Sequence, residues 1–229
     1  MPYFMDYWYI ILVLPTIILA LFAQTKVKSA FNTYSSLIAR NGKTAALVTR
    51  QILDSNGLFN VRIERTSGHL SDHFDPKNNV IRLSESVYDS GSVAAIGVAA
   101  HEAGHAVQHA EKYVPIKIRN AIIPVANLGS SFAPIIIILG IVLSSPSLVW
   151  FGIILYSSIA AFQLVTLPLE FNASKRAVAT LNTMGFDEAE ITGVKKVLSA
   201  AALTYVAALL TTIANLLRFI LISRRNNRR

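Results

Sequence analysis

Three stretches of this chain carry no charged side chain, and their lengths decide what the rest can fold into. No Asp, Glu, Lys or Arg interrupts Tyr7 to Thr25, Asn120 to Leu169 or Val197 to Leu217. A helix needs roughly 20 apolar residues to cross a bilayer. The outer two stretches suffice for one crossing each, and the middle one for two. Its midpoint, Ser144-Ser145-Pro146-Ser147, is a turn signal that divides it into a helical hairpin. The composition agrees, with 53% hydrophobic and 15% charged residues and a mean hydropathy of +0.48, outside the usage of ordinary soluble domains. Tyr7, Trp8, Tyr9 and Trp150 suit the aromatic belts at the membrane surface. The first stretch has no positively charged segment before it and no small-x-small site at its end, where Leu21 stands two before Ala23; it is expected to be a retained anchor. Cysteine is absent, so disulfides and thiolate metal sites are excluded.

A net charge of +8 admits nucleic acid, anionic lipid or membrane topology as its cause. Topology explains it best, and no nucleic-acid partner is expected. Under a four-span arrangement Lys26, Lys28, Lys112, Lys117, Arg119, Lys175, Arg176, Lys195 and Lys196 share one side, while the hairpin turn carries no basic residue. That side should be cytoplasmic. Arg224, Arg225, Arg228 and Arg229 would fall outside. Either the last helix is re-entrant or drawn into the soluble body, or the charge rule is outvoted at that end.

Between Lys26 and Arg119 the composition becomes that of a small soluble domain. Ala45, Leu47, Val48 and Ile52 give Thr44 to Asp54 a helical period that stops at Asn56-Gly57. Val61 to Glu64 and Val80 to Leu83 read as strands separated by a polar turn containing Asp75-Pro76-Lys77-Asn78. A further helix is expected from an N-cap at Ser92 to about Tyr113, ahead of Pro115. After the hairpin, Pro168 suits a first helical turn and Gly185 a stop. Asp187 with Glu190 three later forms a capping box that opens the next helix.

His101-Glu102-Ala103-Gly104-His105 lies within the helix predicted from Ser92. Residues four apart leave the same helix face about 6 Å apart along the axis, so both imidazoles can reach one zinc ion. Glu102 projects beside them as a candidate general base for a water whose pKa the metal lowers to about 7. A structural histidine pair needs no glutamate between its members. A catalytic zinc keeps three protein ligands and an open position. Candidates for the third are His69, His73, His109, Glu111 and Glu170. His109 stands about 12 Å of helical rise from His101 and is too far; a supporting, surface or packing role remains for it. Glu170 stands at the membrane exit of the third span, where the chain must return to the face that carries His105. A charge at a membrane edge also calls for a partner. One zinc ion per chain is expected, held by His101 and His105, with Glu170 the better-placed candidate for the third ligand.

The motif, followed after a membrane hairpin by Glu170-Phe171-Asn172-Ala173-Ser174, resembles the glutamate zincins of membranes, the HtpX and prenyl-protein endopeptidase group. More closely, Gly68 to Pro76, Leu83 to Tyr88, Ala99 to Glu102, Gln108-His109-Ala110 and Leu167 to Phe171 look like the YugP-like family of bacterial neutral zinc metallopeptidases. The resemblance spans nearly the whole chain and implies a membrane-anchored zincin with Glu170 as third ligand. Ser174 stands where the HtpX-like helix reads aspartate, and Asn172 where a second aspartate is expected. Asn172 can hydrogen-bond but cannot help to neutralise a metal. His69, Asp72, His73 and Asp75 cluster before the strand that binds substrate in zincins by strand addition. His69 or His73 could donate to a developing oxyanion, and Tyr88 or Tyr205 are alternative donors. The same residues could equally do no more than shape a polar turn.

These observations predict a mainly α membrane protein of about four transmembrane helices with a small α+β zincin-like body split in sequence. The expected parts are an anchor over 1–25, the first part of the body over 26–119, the hairpin over 120–167, the second part over 168–197, and a membrane helix with a basic tail over 198–229. The function they point to is a multi-pass, zinc-dependent endopeptidase of the cell membrane. It would act on membrane or membrane-proximal polypeptides at the cytoplasmic face. The alternative is a non-catalytic scaffold or sensor with a structural metal site. A transporter or channel would want ionisable groups at mid-membrane, which the uncharged spans do not offer.

Overall fold

The computed structural model describes residues 6–68 and 70–226. A π-helical turn, Tyr9–Val13, leads into α1 (Leu14–Ser35), followed by α2 (Ala45–Ser55), β1 (Arg62–Thr66), β2 (His73–Asp75), β3 (Val80–Ser84) and α3 (Glu85–Tyr88). The chain continues with α4 (Val93–Ala110), α5 (Val114–Val142), α6 (Pro146–Thr183) and α7 (Glu188–Asn226). Four helical segments are long and apolar enough to cross a membrane: Tyr9–Ser35, Val114–Val142, Pro146–Thr183 and Glu188–Arg224. The chain is a mainly α membrane protein with a small α+β body. It divides into two compact units, one of Met1–Ala23, Lys117–Pro168 and Leu203–Arg229, the other of Gln24–Ile116 and Leu169–Ala202.

The first unit is helical and apolar. Gly140 of α5 lies so close to α6 that a Cβ would sit 2.7 Å from the Val149 amide nitrogen. Only a residue without a side chain permits that approach, as in other close helix pairs of membranes. Ile137, Val149 and Ile153 form a small core, covered by Tyr156 and by Leu216, Phe219 and Ile220 of α7. Ile18, Leu21, Phe22, Leu128, Phe132 and Ile135 stay exposed, as residues that face lipid should.

The second unit is built around α4. Ser92 caps it by accepting from the Ala95 amide at 3.3 Å. Val93, Ile96, Ala99, Ala100 and Ala103 bury one face among Val48, Ile52 and Leu53 of α2 and Leu181, Val194 and Leu198 of α6 and α7. Each fully buried Leu or Ile there contributes roughly 1.5–3 kcal/mol. The sheet has the order β1-β3-β2, with β1 parallel to β3 (Ile63 opposite Ile81) and β2 antiparallel to it (Phe74 opposite Ile81). β3 is the buried central strand, and β2 is an edge.

Four features differ from the sequence reading. The segment read as a polar turn contains β2: His73 and Asp75 pair with β3 although Asp75 also accepts from the amides of Lys77 and Asn78 to close the turn. A three-residue edge strand is too short to show an alternation. The short helix α3 was not signalled. Pro168 opens no helix; it lies inside the continuous α6. Proline withdraws one amide from the ladder, a loss that long apolar helices absorb where neighbouring groups re-satisfy the backbone. Finally, α7 joins the last body helix to the last span without a break. Its start is as expected, since the Asp187 amide donates to Glu190 at 2.8 Å and the Glu190 amide to Asp187 at 2.8 Å.

Candidate metal centre

One turn of α4 and one turn of α6 build the site. Gly104 is what lets them meet, since a Cβ on it would lie 2.9 Å from the Ala173 carbonyl oxygen. Residues on either side of that contact, His101 and His105 on α4 and Glu170 on α6, therefore converge. Each of the three offers one ligand atom, and these atoms lie within 4.8 Å of one another. The imidazole rings sit edge to face, with centroids 4.6 Å apart and planes at 82°. Glu170 is buried, at 7% exposure, in a place where a lone carboxylate would be costly.

The distances are compatible with a metal ion held among the three groups. Glu170 Oε2 is 3.2 Å from His101 Nε2 and 3.5 Å from His105 Nε2. Charge-assisted N–H···O contacts close to about 2.7–2.9 Å. The edge of a zinc tetrahedron with bonds near 2.0–2.1 Å is ~3.3–3.4 Å. The spacing of the donors matches the second figure. Two neutral imidazoles and one carboxylate are also the donor set of a catalytic zinc with an open position.

The outer ring nitrogens complete the fit. Metal binding at Nε2 requires the proton on Nδ1. Ser174 Oγ lies 3.1 Å from His101 Nδ1, and Gln108 Oε1 lies 3.0 Å from His105 Nδ1, so each ring has an acceptor. A hydroxyl thus stands where an aspartate was expected and still reaches the ring. Asn172 Oδ1 accepts from Gln108 Nε2 at 2.9 Å and from Arg176 Nε at 2.8 Å. Arg176 in turn forms a bidentate pair with Glu111, at 2.9 and 2.7 Å. That pair accounts for Glu111, once a candidate ligand. Gln108 was assigned no role from the sequence; its place three residues after His105, on the same helix face, was the available signal.

Glu102 is buried between the two histidine positions, with its Oε2 accepting from the Phe74 amide of β2 at 2.9 Å. Burial pushes its carboxyl above the usual carboxylate range, against the lowering effect of the two imidazoles. For His105, burial opposes charge, yet the hydrogen bond that its ring donates to Glu170 and the charges of Glu102 and Glu170 outweigh it. Its metal-free pKa is raised to about 9.

The remaining sequence candidates lie elsewhere. His69 falls outside the described residues. His73 is exposed on β2, with Nδ1 2.8 Å from the Ser71 carbonyl oxygen and Nε2 3.5 Å from Arg82. His109 is exposed and packs edge-on against Phe74 at 5.8 Å between ring centroids. Asp72 accepts from the Ser84 amide at 2.7 Å, and Asp75 accepts from Arg82 at 2.9 Å, so both carboxylates shape the loop around β2. Tyr88 lies under Arg65 at 4.7 Å.

Comparison with known proteins agrees with this geometry. A family model described as "Putative neutral zinc metallopeptidase" matches residues 9–224. A protein of Bacillus subtilis (strain 168) described as "Putative membrane protease YugP" is 49% identical over 215 residues, covering 93% of this chain and 96% of the relative. No solved structure matches. A match over residues 9–224 that takes in the helices carrying His101, His105 and Glu170 makes this chain a member of the neutral zinc metallopeptidases that the family model describes.

Proposed function

We propose that the chain is a membrane-embedded, gluzincin-like endopeptidase that cleaves membrane or membrane-proximal polypeptides, with His101, His105 and Glu170 holding zinc and Glu102 as the general base. The observation that carries this reading is the convergence of three donor atoms within 4.8 Å beside a buried glutamate. Bound there, zinc supplies Lewis-acid polarisation of the scissile carbonyl and activation of a water. Glu102 takes the proton of the attacking water and delivers it to the departing amine, so the carboxylate is regenerated in each turnover. Burial, which raises its pKa, helps it to hold that proton between the two transfers. The Phe74 amide fixes one carboxylate oxygen, and Ser174 and Gln108 hold the two rings. As the edge of the sheet, β2 is where an extended substrate would add as a further strand.

A structural metal site would close its sphere with a fourth protein ligand. The group among the described residues has three members. For the same reason the scaffold or sensor reading is the weaker one. The cytoplasmic placement rests on Lys26, Lys28, Lys112, Lys117, Arg119, Lys175, Arg176, Lys195 and Lys196, which fall on one side of a four-span arrangement.

The test is Glu102→Gln in the full-length protein. Proteolysis should fall at least ~100-fold, the usual worth of a positioned general base, while zinc content stays at the parent level. Cleavage at the parent rate by the zinc-loaded variant would falsify the assignment of the base.

A further inference from the structure

We propose that Gln108 is a positioning residue of the metal centre, its amide oxygen fixing the His105 ring while its amide nitrogen grips the turn of α6 that carries Glu170. The inference rests on the reading that His101, His105 and Glu170 hold zinc. Gln108 has 0% exposure, and an amide buried to that degree is costly unless both its ends are bonded. Both are. Oε1 lies 3.0 Å from His105 Nδ1. Nε2 donates to the Leu169 carbonyl at 2.9 Å and to Asn172 Oδ1 at 2.9 Å, one residue before Glu170 and two after it.

No other side chain of this length offers both functions. A carboxylate would accept from His105 but could not donate to α6, and an apolar side chain could do neither. Gln108 thus sets the tautomer and plane of one ligand and, through the same amide, the axial position of another. The bidentate Arg176–Glu111 pair, with Arg176 Nε also on Asn172 Oδ1, makes a second link between α4 and α6 on the solvent side of the first. Asn172, where an aspartate was expected, is the junction of the two links. Its single oxygen accepts both donors, and as a neutral group it adds no charge that Arg176 would have to share with Glu111.

The experiment compares zinc affinity, by chelator competition, and the visible spectrum of the cobalt(II)-loaded protein in full-length parent, Gln108→Met, Gln108→Glu and Glu170→Ala. Methionine keeps the length and approximate volume and removes every hydrogen bond. Glutamate keeps the acceptor for His105 but loses the donor, setting a carboxylate oxygen against the Leu169 carbonyl and Asn172 Oδ1. Loss of an outer partner of a metal ligand typically weakens binding 10–100-fold. Gln108→Met should therefore bind zinc about 10–100-fold more weakly, with an altered cobalt spectrum. Gln108→Glu, which keeps the hold on His105 but not the one on α6, should also show an altered cobalt spectrum, which a residue that merely filled space would not require. The proposal is overturned if Gln108→Met binds zinc as tightly as the parent, or if Gln108→Glu gives the parent's cobalt spectrum. A parent without zinc, or Glu170→Ala with parent-like affinity, would instead remove the metal centre itself, and the proposal with it.

Discussion

His105 shows what a metal does for a site that is otherwise a cluster of buried charges. In the metal-free protein its pKa is raised to about 9: burial works against the charge, but Glu170 and Glu102 outweigh it. Zinc needs the neutral ring and must displace that proton. Below pH 9 the apparent zinc affinity should therefore tighten about tenfold per pH unit as this one proton is removed, levelling off above it. The sign for stability is opposite in the metal-free form. A group whose pKa rises from 6.5 to about 9 on folding contributes stability that is full below 6.5 and lost as pH passes through 9. Thermal unfolding with and without zinc should thus diverge progressively between pH 6.5 and 9; a gap independent of pH would show that His105 carries no proton in the metal-free site. The three residues that converge were legible because histidines four apart on a helix and a charge at a membrane edge are visible in a string of letters. The partners of their outer nitrogens were not. Ser174 and Gln108 reach the rings only through the register between α4 and α6, which no local pattern encodes.

That register is a property of two elements, and Gly104 sets it. A Cβ there would meet the Ala173 carbonyl at 2.9 Å, an atom of helix backbone that cannot move aside alone. Gly97, two turns earlier on α4, faces the Val194 methyls at 3.2 Å, and a valine side chain can give. Gly104→Ala should then cost roughly 1–3 kcal/mol, the range for overpacking. It should also weaken zinc binding by at least about tenfold, on the scale of a disturbed ligand shell. Gly97→Ala should lower stability without touching zinc affinity. Unfolding and zinc competition on the two variants check this, and equal zinc affinities would detach the helix spacing from the site. The helices themselves were legible from their caps and periods: Ser92 and the Asp187–Glu190 box cap as read, and the period from Thr44 is a helix that Thr44 itself caps. The misread elements were those whose local signals favour something else. Asp75-Pro76 reads as a turn although Asp75 ends a strand, and Pro168 reads as a helix start although apolar flanks carry the helix through it.

At the scale of the whole molecule, the sequence made the four crossings plain because apolar length is the one requirement a bilayer cannot waive. How the first crossing meets the last within the membrane unit was hidden, since one contact between them joins side chains 212 positions apart. Asp6 and Arg218 form a shielded ion pair at 3.0 Å, with Arg218 over the Tyr9 ring at 5.2 Å. It ties the start of the first span to the end of the last, as an even number of crossings requires. Removing one partner of this part-buried pair leaves the other charge without its ion-pair contact and destabilises the folded unit. Asp6→Asn should lower the unfolding temperature in detergent accordingly, and Asp6→Arg with Arg218→Asp should recover part of the loss; an unchanged midpoint in Asp6→Asn would remove the pair from the account. The central claim is that a returning membrane hairpin delivers the third ligand to two histidines of the body. Zinc content of the purified protein, measured beside Glu170→Ala at equal fold and concentration, tests it most directly. The account predicts one zinc per parent chain and an affinity weakened at least ~100-fold in the variant, as for a lost ligand. A Glu170→Ala protein that keeps zinc as tightly as its parent would contradict it.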